Sequence, residues 1–482
     1  MTASNTAVEL AFTEFFNVVD GKLESTRETR HGLNPSTLEE NPPVPVSTRD
    51  DVDRAVAAAK VAAETWSTVP YKQRQQAVAS FADGLEALKD NFAVLLTKEQ
   101  GKPLELAHFE VAGSIQFLRG YAQLPELDEV IEDKPGRRVI ARYTPLGVAV
   151  GIVPWNFPVS LAVSKLGPAI IAGNAIILKP SPFTPYCNLK LAELGLQYFP
   201  PGLLQALSGD DNLGPLLTEH PGVDKVSFTG STATGKRVMK SCASTLKRVT
   251  LELGGNDAAI VYPDVDIKAV APKLAISALL NSGQICIAIK RVYIHESIYD
   301  KLLKELVAEV AKLRVADGLE NGAKLGPIQN QLQFDRVKDL LADIESQKLT
   351  LATGPITPAT AGKGYFINPT VVDNPPDSSR IVVEEPFGPV FPVLKWKDEE
   401  EVLRRANDTA MGLGASVWTS DLEKGERLAK RLKAGTVWIN THLELQANTP
   451  FGGHKQSGIG VEHGTEGLKS YCNIQAIHVT AP

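Results

Sequence analysis

The chain has 482 residues, 43% of them hydrophobic and 22% charged, with a formal net charge of -6. At about 100–200 residues per domain this is mass for two or three globular domains, without the basic footprint that nucleic acid demands. No apolar run reaches the ~20 residues of a membrane-spanning helix, Met1 to Leu10 lacks the pattern of a signal peptide, and Cys187, Cys242, Cys286 and Cys472 form no CxxC pair, so a reducing, cytoplasmic setting is expected, with neither a metal site nor a disulfide framework.

In chain order, the first forty-odd residues read as irregular, with Gly32, Asn34-Pro35 and the Pro42-Pro43/Pro45 cluster as breakers. Ser47-Thr48 followed by Asp50 and Asp51 marks a helix start, continued by the Ala-rich stretch from Val52 to Trp66. A second long helix is expected from about Gln73 to Lys98 and a third from about Leu104 to Leu118. Beyond these, short Val/Ile-rich runs alternate with helical segments: Gly147 to Val153, Ala175 to Leu178, Lys225 to Phe228 and Asp257 to Val261. The alternation continues with Arg291 to Ile294, then with helices carrying Leu303, Leu306, Val310 and Leu313, and Phe334, Val337, Leu341 and Ile344. Phe391 to Leu394, Ala415 to Trp418 and Thr436 to Ile439 are further strands. Such a rhythm predicts βαβ units and two mostly parallel, buried sheets. Arg138 to Tyr143 and Ile474 to Val479 are β-prone outside that rhythm, and strands left unpaired tend to find a partner, often another subunit.

Several segments could carry chemistry. Pro154-Trp155-Asn156-Phe157-Pro158 follows a strand end, where α/β ligand sites lie, and its prolines fix a rigid loop. The Asn156 amide could donate to a developing oxyanion, or simply form a turn. Lys179, in Leu178-Lys179-Pro180-Ser181, ends another strand, within reach of ribose hydroxyls or a phosphate. Phe228-Thr229-Gly230-Ser231-Thr232 is a strand, a small-residue turn and a helix start whose free N–H groups suit a pyrophosphate. Arg237 follows Gly235-Lys236 where a Walker loop needs Ser or Thr, which argues against NTPase activity. Glu252, between two leucines and before Gly254-Gly255, is a candidate general base whose pKa burial would raise; it could equally cap the glycine turn. Cys286, in Gly283-Gln284-Ile285-Cys286-Ile287, is either a nucleophile or a packed core thiol.

Taken together, these segments resemble the aldehyde dehydrogenase superfamily from Asn34-Pro35 to Gly464, with Glu385-Pro386-Phe387-Gly388-Pro389 and Pro450-Phe451-Gly452-Gly453 completing the ordered motifs. The resemblance implies an α/β fold of two Rossmann-like open-sheet domains plus a small β oligomerisation arm. Residues 1–119 and 143–254 would bind NAD(P), 255–454 would be catalytic, and 120–142 with 455–482 would form the arm of a homodimer or homotetramer. It implies Cys286 as nucleophile, Asn156 and the Cys286 N–H as oxyanion hole, Glu252 as the base that activates water, and Glu462 in a proton relay. Trp155, Lys179, Ser181, Gly230, Ser231, Glu385 and Phe387 would hold the cofactor. NAD is favoured, and NADP stays open because Pro182 stands where many NAD-preferring relatives carry an acid.

The substrate pocket would involve Gly113, Phe157, Leu161, Ser164, Ile285, Ile287, Leu443, Leu445 and Phe451. Most are apolar, and Ser164 and Gly113 are small, so a medium-to-large apolar or aromatic aldehyde is expected. The alternatives are a CoA-acylating enzyme, which retention of Glu252 opposes, and a non-catalytic binding homologue, which the joint presence of Cys286, Glu252 and Asn156 opposes.

Overall fold

A computed structural model describes residues 10–359 and 361–481. Two open sheets dominate it. The larger has the strand order Gly458–Ile459, Arg248–Glu252, Lys225–Thr229, Val148–Ile152, Ala175–Lys179, Leu204–Ala206, Asn17–Val19, Lys22–Glu24. Its five central strands run parallel, while the strand at one edge and the final pair at the other are antiparallel. Val148–Ile152 and Ala175–Lys179 are buried along their whole length, as expected of strands covered on both faces.

The second sheet is parallel throughout, in the order Thr370–Asp373, Val390–Trp396, Ile289–His295, Asp257–Val261, Gly414–Trp418, Thr436–Ile439. Its strands alternate between two apolar layers: Ala258 and Ile260 pack into one, Ala259 and Val261 into the other, which is the period-2 alternation of a strand's two faces.

Particular residues set the element boundaries. Thr48 caps the helix Arg49–Trp66 through a capping box with Asp51. The single helix expected from Gln73 to Lys98 is in fact two, Tyr71–Ala87 and Lys89–Gln100, separated by Leu88 at φ -109, ψ 12. The apolar periodicity runs through this break, and no Gly or Pro announces it. The opening segment, expected to be irregular, contains the strands Asn17–Val19, Lys22–Glu24, Thr29–Leu33 and Glu40–Pro45. All four are short; only Glu40–Pro45 carries prolines, and it lies in a two-stranded sheet with Thr29–Leu33, where a missing N–H is tolerated.

The two strands that stood outside the βα rhythm pair with each other. Cys472–Thr480 lies antiparallel to Arg137–Pro145, which also pairs with Glu129–Lys134. Of the segment 455–482, Cys472–Thr480 belongs to this small sheet, whereas Gly458–Ile459 extends the larger sheet beside Leu251 and Glu252. No helix among the described residues is long and apolar enough to cross a membrane.

Candidate functional site

Parallel sheets place their loops at strand ends, and here the two sheets present opposite ends to one cleft. Trp155-Asn156, Gly230-Ser231 and Glu252 lie at the C-terminal ends of Val148–Ile152, Lys225–Thr229 and Arg248–Glu252. Cys286 and Glu385-Phe387 precede the strands Ile289–His295 and Val390–Trp396 of the second sheet. A cavity of about 440 Å³ is lined by Trp155, Asn156, Gly230, Ser231, Cys286, Glu385 and Phe387. The structure therefore brings together the expected nucleophile, the expected oxyanion donor and most of the expected cofactor residues.

Cys286 is half-buried and free, and burial pushes its thiol up to about 12, with Lys290 pulling the other way and Glu385, Asp257 and Glu252 adding to the rise. The loop before it is strained: Asn281 and Ser282 take φ 53 and φ 56, left-handed values that non-glycine residues rarely adopt. Gly283 follows at φ +73, where an added Cβ would stand 2.2 Å from the Gly388 carbonyl oxygen. Strain of this kind persists only when the surroundings over-determine it. Here Ser282 Oγ donates to Gly326 O (2.7 Å), and Gln284 Nε2 donates to Asn281 O (2.8 Å) and Pro327 O.

Asn156 is 5% exposed. One Nδ2 hydrogen goes to Gln284 O at 2.9 Å, which leaves the second free. The Cys286 backbone N–H takes no partner among the described residues. The carbonyl of Asn156 accepts from Lys102 Nζ (2.9 Å) and Asn281 Nδ2 (3.2 Å). Lys102 is itself fully buried, paired with Glu110 and seated 3.6 Å from the Phe157 ring centroid.

Glu252 is 3% exposed, and neither carboxyl oxygen has a partner among the described residues. Burial and then Glu462 hold its pKa well above the usual carboxylate range, against the pull of Lys165. Glu462 behaves oppositely. Burial favours its neutral form, but Lys165 at 2.7 Å, His463 and the Ser227 hydroxyl at 2.9 Å outweigh it, so its pKa is lowered. An unpartnered acid whose pKa is raised thus neighbours a hydrogen-bonded one whose pKa is lowered.

Most of the residues expected to hold a cofactor form the other side of the cleft. Gly254 lacks the Cβ that would meet Glu385 Oε2 at 2.3 Å; Glu385 accepts from the Gly255 N–H (3.0 Å) and lies 3.4 Å from Lys290. Gln333 Nε2 donates to the carbonyls of Pro386 and Phe387, both at 3.1 Å, and fixes the Phe387 turn; the Phe387 ring meets Trp155 edge-on at 5.3 Å. Ser231 caps the helix Thr232–Ala243 through Thr234 N, and the Thr232 and Ala233 N–H groups take no partner among the described residues. A dinucleotide's pyrophosphate fits such a terminus. Lys179 and Ser181 are buried outside the cleft lining. Lys179 Nζ donates to Pro180 O (3.2 Å), and burial lowers its pKa to about 8. Beside it, Arg30 donates to the Pro182 carbonyl.

Phe157, Ile285, Ile287, Leu443, Leu445 and Phe451 cluster with Cys286. Leu161 packs instead against the core of the larger sheet. The Ser164 hydroxyl is buried and committed to Leu161 O (3.0 Å) and Glu462 Oε2 (3.2 Å); it faces the Glu462 cluster. A Cβ on Gly113 would meet nothing within 4 Å.

Sequence reasoning passed over Lys102, Lys165, Lys290, Gln284 and Gln333. A lysine in a loop, on a helix or at a strand start reads as a solvated cation, and only the folded chain shows these three buried.

Known proteins resemble this chain in sequence and fold. The aldehyde dehydrogenase family profile matches residues 23–477. Aldehyde dehydrogenase LUC3 of a Fusarium species is 42% identical over 469 residues, covering 97% of this chain and 99% of that protein. The NAD+ complex of an aldehyde dehydrogenase from Bacillus cereus superposes with a TM-score of 0.94 at 34% identity, covering 97% of each chain. A betaine aldehyde dehydrogenase from Staphylococcus aureus, also in complex with NAD+, gives a TM-score of 0.93 at 32% identity over 97% of this chain and 95% of that one.

Proposed function

The chain belongs to the aldehyde dehydrogenase family, and on that premise we propose that it oxidises an aldehyde to a carboxylic acid with NAD through an acyl-enzyme on Cys286. The observation that carries the reading is the shared cleft, in which Cys286, Asn156, Glu385 and Phe387 line one cavity while Glu252 acts electrostatically on the same thiol. The Cys286 thiolate adds to the aldehyde carbon, and the oxygen becomes an anion facing the free Asn156 N–H and the Cys286 N–H. Removing one such donor typically costs about 10²–10³ in rate. NAD, when bound against Phe387 and Glu385, supplies the hydride acceptor. The resulting thioester is opened by water.

Glu252 is the group placed to deprotonate that water. It is unpartnered and burial raises its pKa, which favours taking up the water's proton, and the neighbouring Glu462–Lys165 pair supports a relay that carries that proton away. A buried carboxyl in this position supports hydrolysis over acyl transfer to coenzyme A. Domain roles follow the sheets: the larger carries the cofactor and the smaller the nucleophile. Val130, Ile131, Ile474 and Val479 are exposed on the small antiparallel sheet, which supports its use as an oligomerisation arm.

The substrate class is a medium-to-large apolar or aromatic aldehyde. Support comes from the apolar wall around Cys286, the open space at Gly113, and a cavity of about 540 Å³ between the helix Leu104–Tyr121 and Leu445. The test is NADH formation against a panel running from acetaldehyde and semialdehyde carboxylates to long-chain and aromatic aldehydes. The largest kcat/KM is expected for the apolar members, with no signal from Cys286→Ala. Turnover by that variant would refute the nucleophile, and a preference for acetaldehyde or a semialdehyde would refute the pocket.

A further inference from the structure

Lys290 has no part in the chemistry above, yet its ammonium is bound to the backbone of the loop that carries Cys286. It sits in the strand Ile289–His295, at the point where the pairing with Asp257–Val261 slips: Asp257 faces Ile289 and Ala258 faces Arg291. Lys290 is therefore the extra residue of a bulge, a device that is rare between parallel strands and that re-aims a side chain. The side chain is 3% exposed. Its Nζ donates to the carbonyls of Ile285 (3.0 Å), Cys286 and Ala288 (3.3 Å). All of its donors thus converge on the loop that carries the sulfur. Glu385, 3.4 Å away, is its counter-ion.

Among the described residues, the leading charged influences on the Cys286 thiol are Lys290, Glu385, Asp257 and Glu252, and of these four Lys290 is the cation. His442, packed against the same loop through Ile287 O at 2.7 Å, adds no charge, because burial, opposed by the Ile287 carbonyl and aided by Lys290, holds its pKa at about 3. Buried lysines are costly unless paired, and nothing in strand pairing requires one at a bulge.

We propose that Lys290 is a positioning residue for the nucleophile: its ammonium gathers the Cys286 loop from behind and supplies the positive charge that stabilises the thiolate. The inference rests on the reading of Cys286 as nucleophile. Removing the charge leaves the thiol among carboxyls, in a pocket that already favours the neutral form.

The test is the rate of iodoacetamide alkylation, followed at the Cys286 peptide against pH, on the full chain without aldehyde, for wild type, K290M, K290Q and K290R. K290M and K290Q should raise the midpoint by about one unit or more, making alkylation near neutral pH about tenfold slower. K290R keeps the charge and should restore the midpoint. Circular dichroism shows whether each variant is folded; where K290M is not, K290Q and K290R give the same comparison. Wild-type midpoints in the neutral variants, or a K290R midpoint displaced as far as that of K290Q, overturn the proposal. Because alkylation needs no turnover, failure here is distinguishable from failure of the nucleophile reading, which Cys286→Ala tests through NADH formation.

Discussion

Around Cys286 the side chains of Glu252, Asp257 and Glu385 are all carboxyls whose pKa burial raises. Burial strengthens whatever electrostatic interactions a pocket keeps, and it also disfavours the charged form of each of these acids. Asp257 shows the consequence for stability. Burial first, offset in part by Lys290, raises it from 3.8 to about 7. Between those values the folded chain binds more protons than the unfolded one, so stability falls as pH rises from about 4 to about 7 and the loss is complete above 7. Asp257→Asn cannot ionise. Thermal unfolding of wild type and Asp257→Asn from pH 4 to pH 8 should show the variant gaining on wild type as pH rises, whatever its offset at any one pH. Parallel curves would mean that Asp257 ionises freely in the folded chain.

At the scale of elements, the nucleophile loop is the least replaceable piece. Its three consecutive left-handed residues Asn281, Ser282 and Gly283 turn the chain sharply enough to present Cys286 to the cleft. Gly283 is the tightest of them, with a Cβ position 2.2 Å from a backbone oxygen. Gly283→Ala is expected to cost about 1–3 kcal/mol of stability, read from the denaturant midpoint, and to lower kcat/KM with it. Unchanged stability and turnover would show that the turn is not required. The sequence marks this glycine, but not that Asn281 and Ser282 share its conformation, because both residue types are common in ordinary turns. The same contrast holds across the fold. Buried parallel strands such as Ala175–Lys179 were legible as continuous apolar runs. The strands Asn17–Val19 and Lys22–Glu24 were not, because three residues are too few to show a period and their pairing is decided by tertiary contact.

For the whole molecule, the decisive fact is how the two sheets meet. The segment Leu253 to Asn256 joins the end of Arg248–Glu252 to the start of Asp257–Val261, so the connection between the sheets is also the floor of the cleft. Its glycines are small because Glu385 and the Cys286 carbonyl press against them. The ordered motifs in the sequence picked out Asn156, Gly230, Cys286, Glu385 and Phe387, which line the cleft, while the buried supports, Lys102 under Asn156, Lys165 under Glu462 and Lys290 under Cys286, emerge only when the chain is folded. The proposed chemistry requires a bond between Cys286 and the substrate during turnover. Intact-protein mass measurement of Glu252→Gln, quenched after mixing with NAD and an aldehyde substrate, reads that bond directly. The predicted result is a mass increase equal to the acyl group, mapped to the peptide containing Cys286. Undiminished NADH production with no adduct at that peptide would contradict both the covalent route and the role of Glu252.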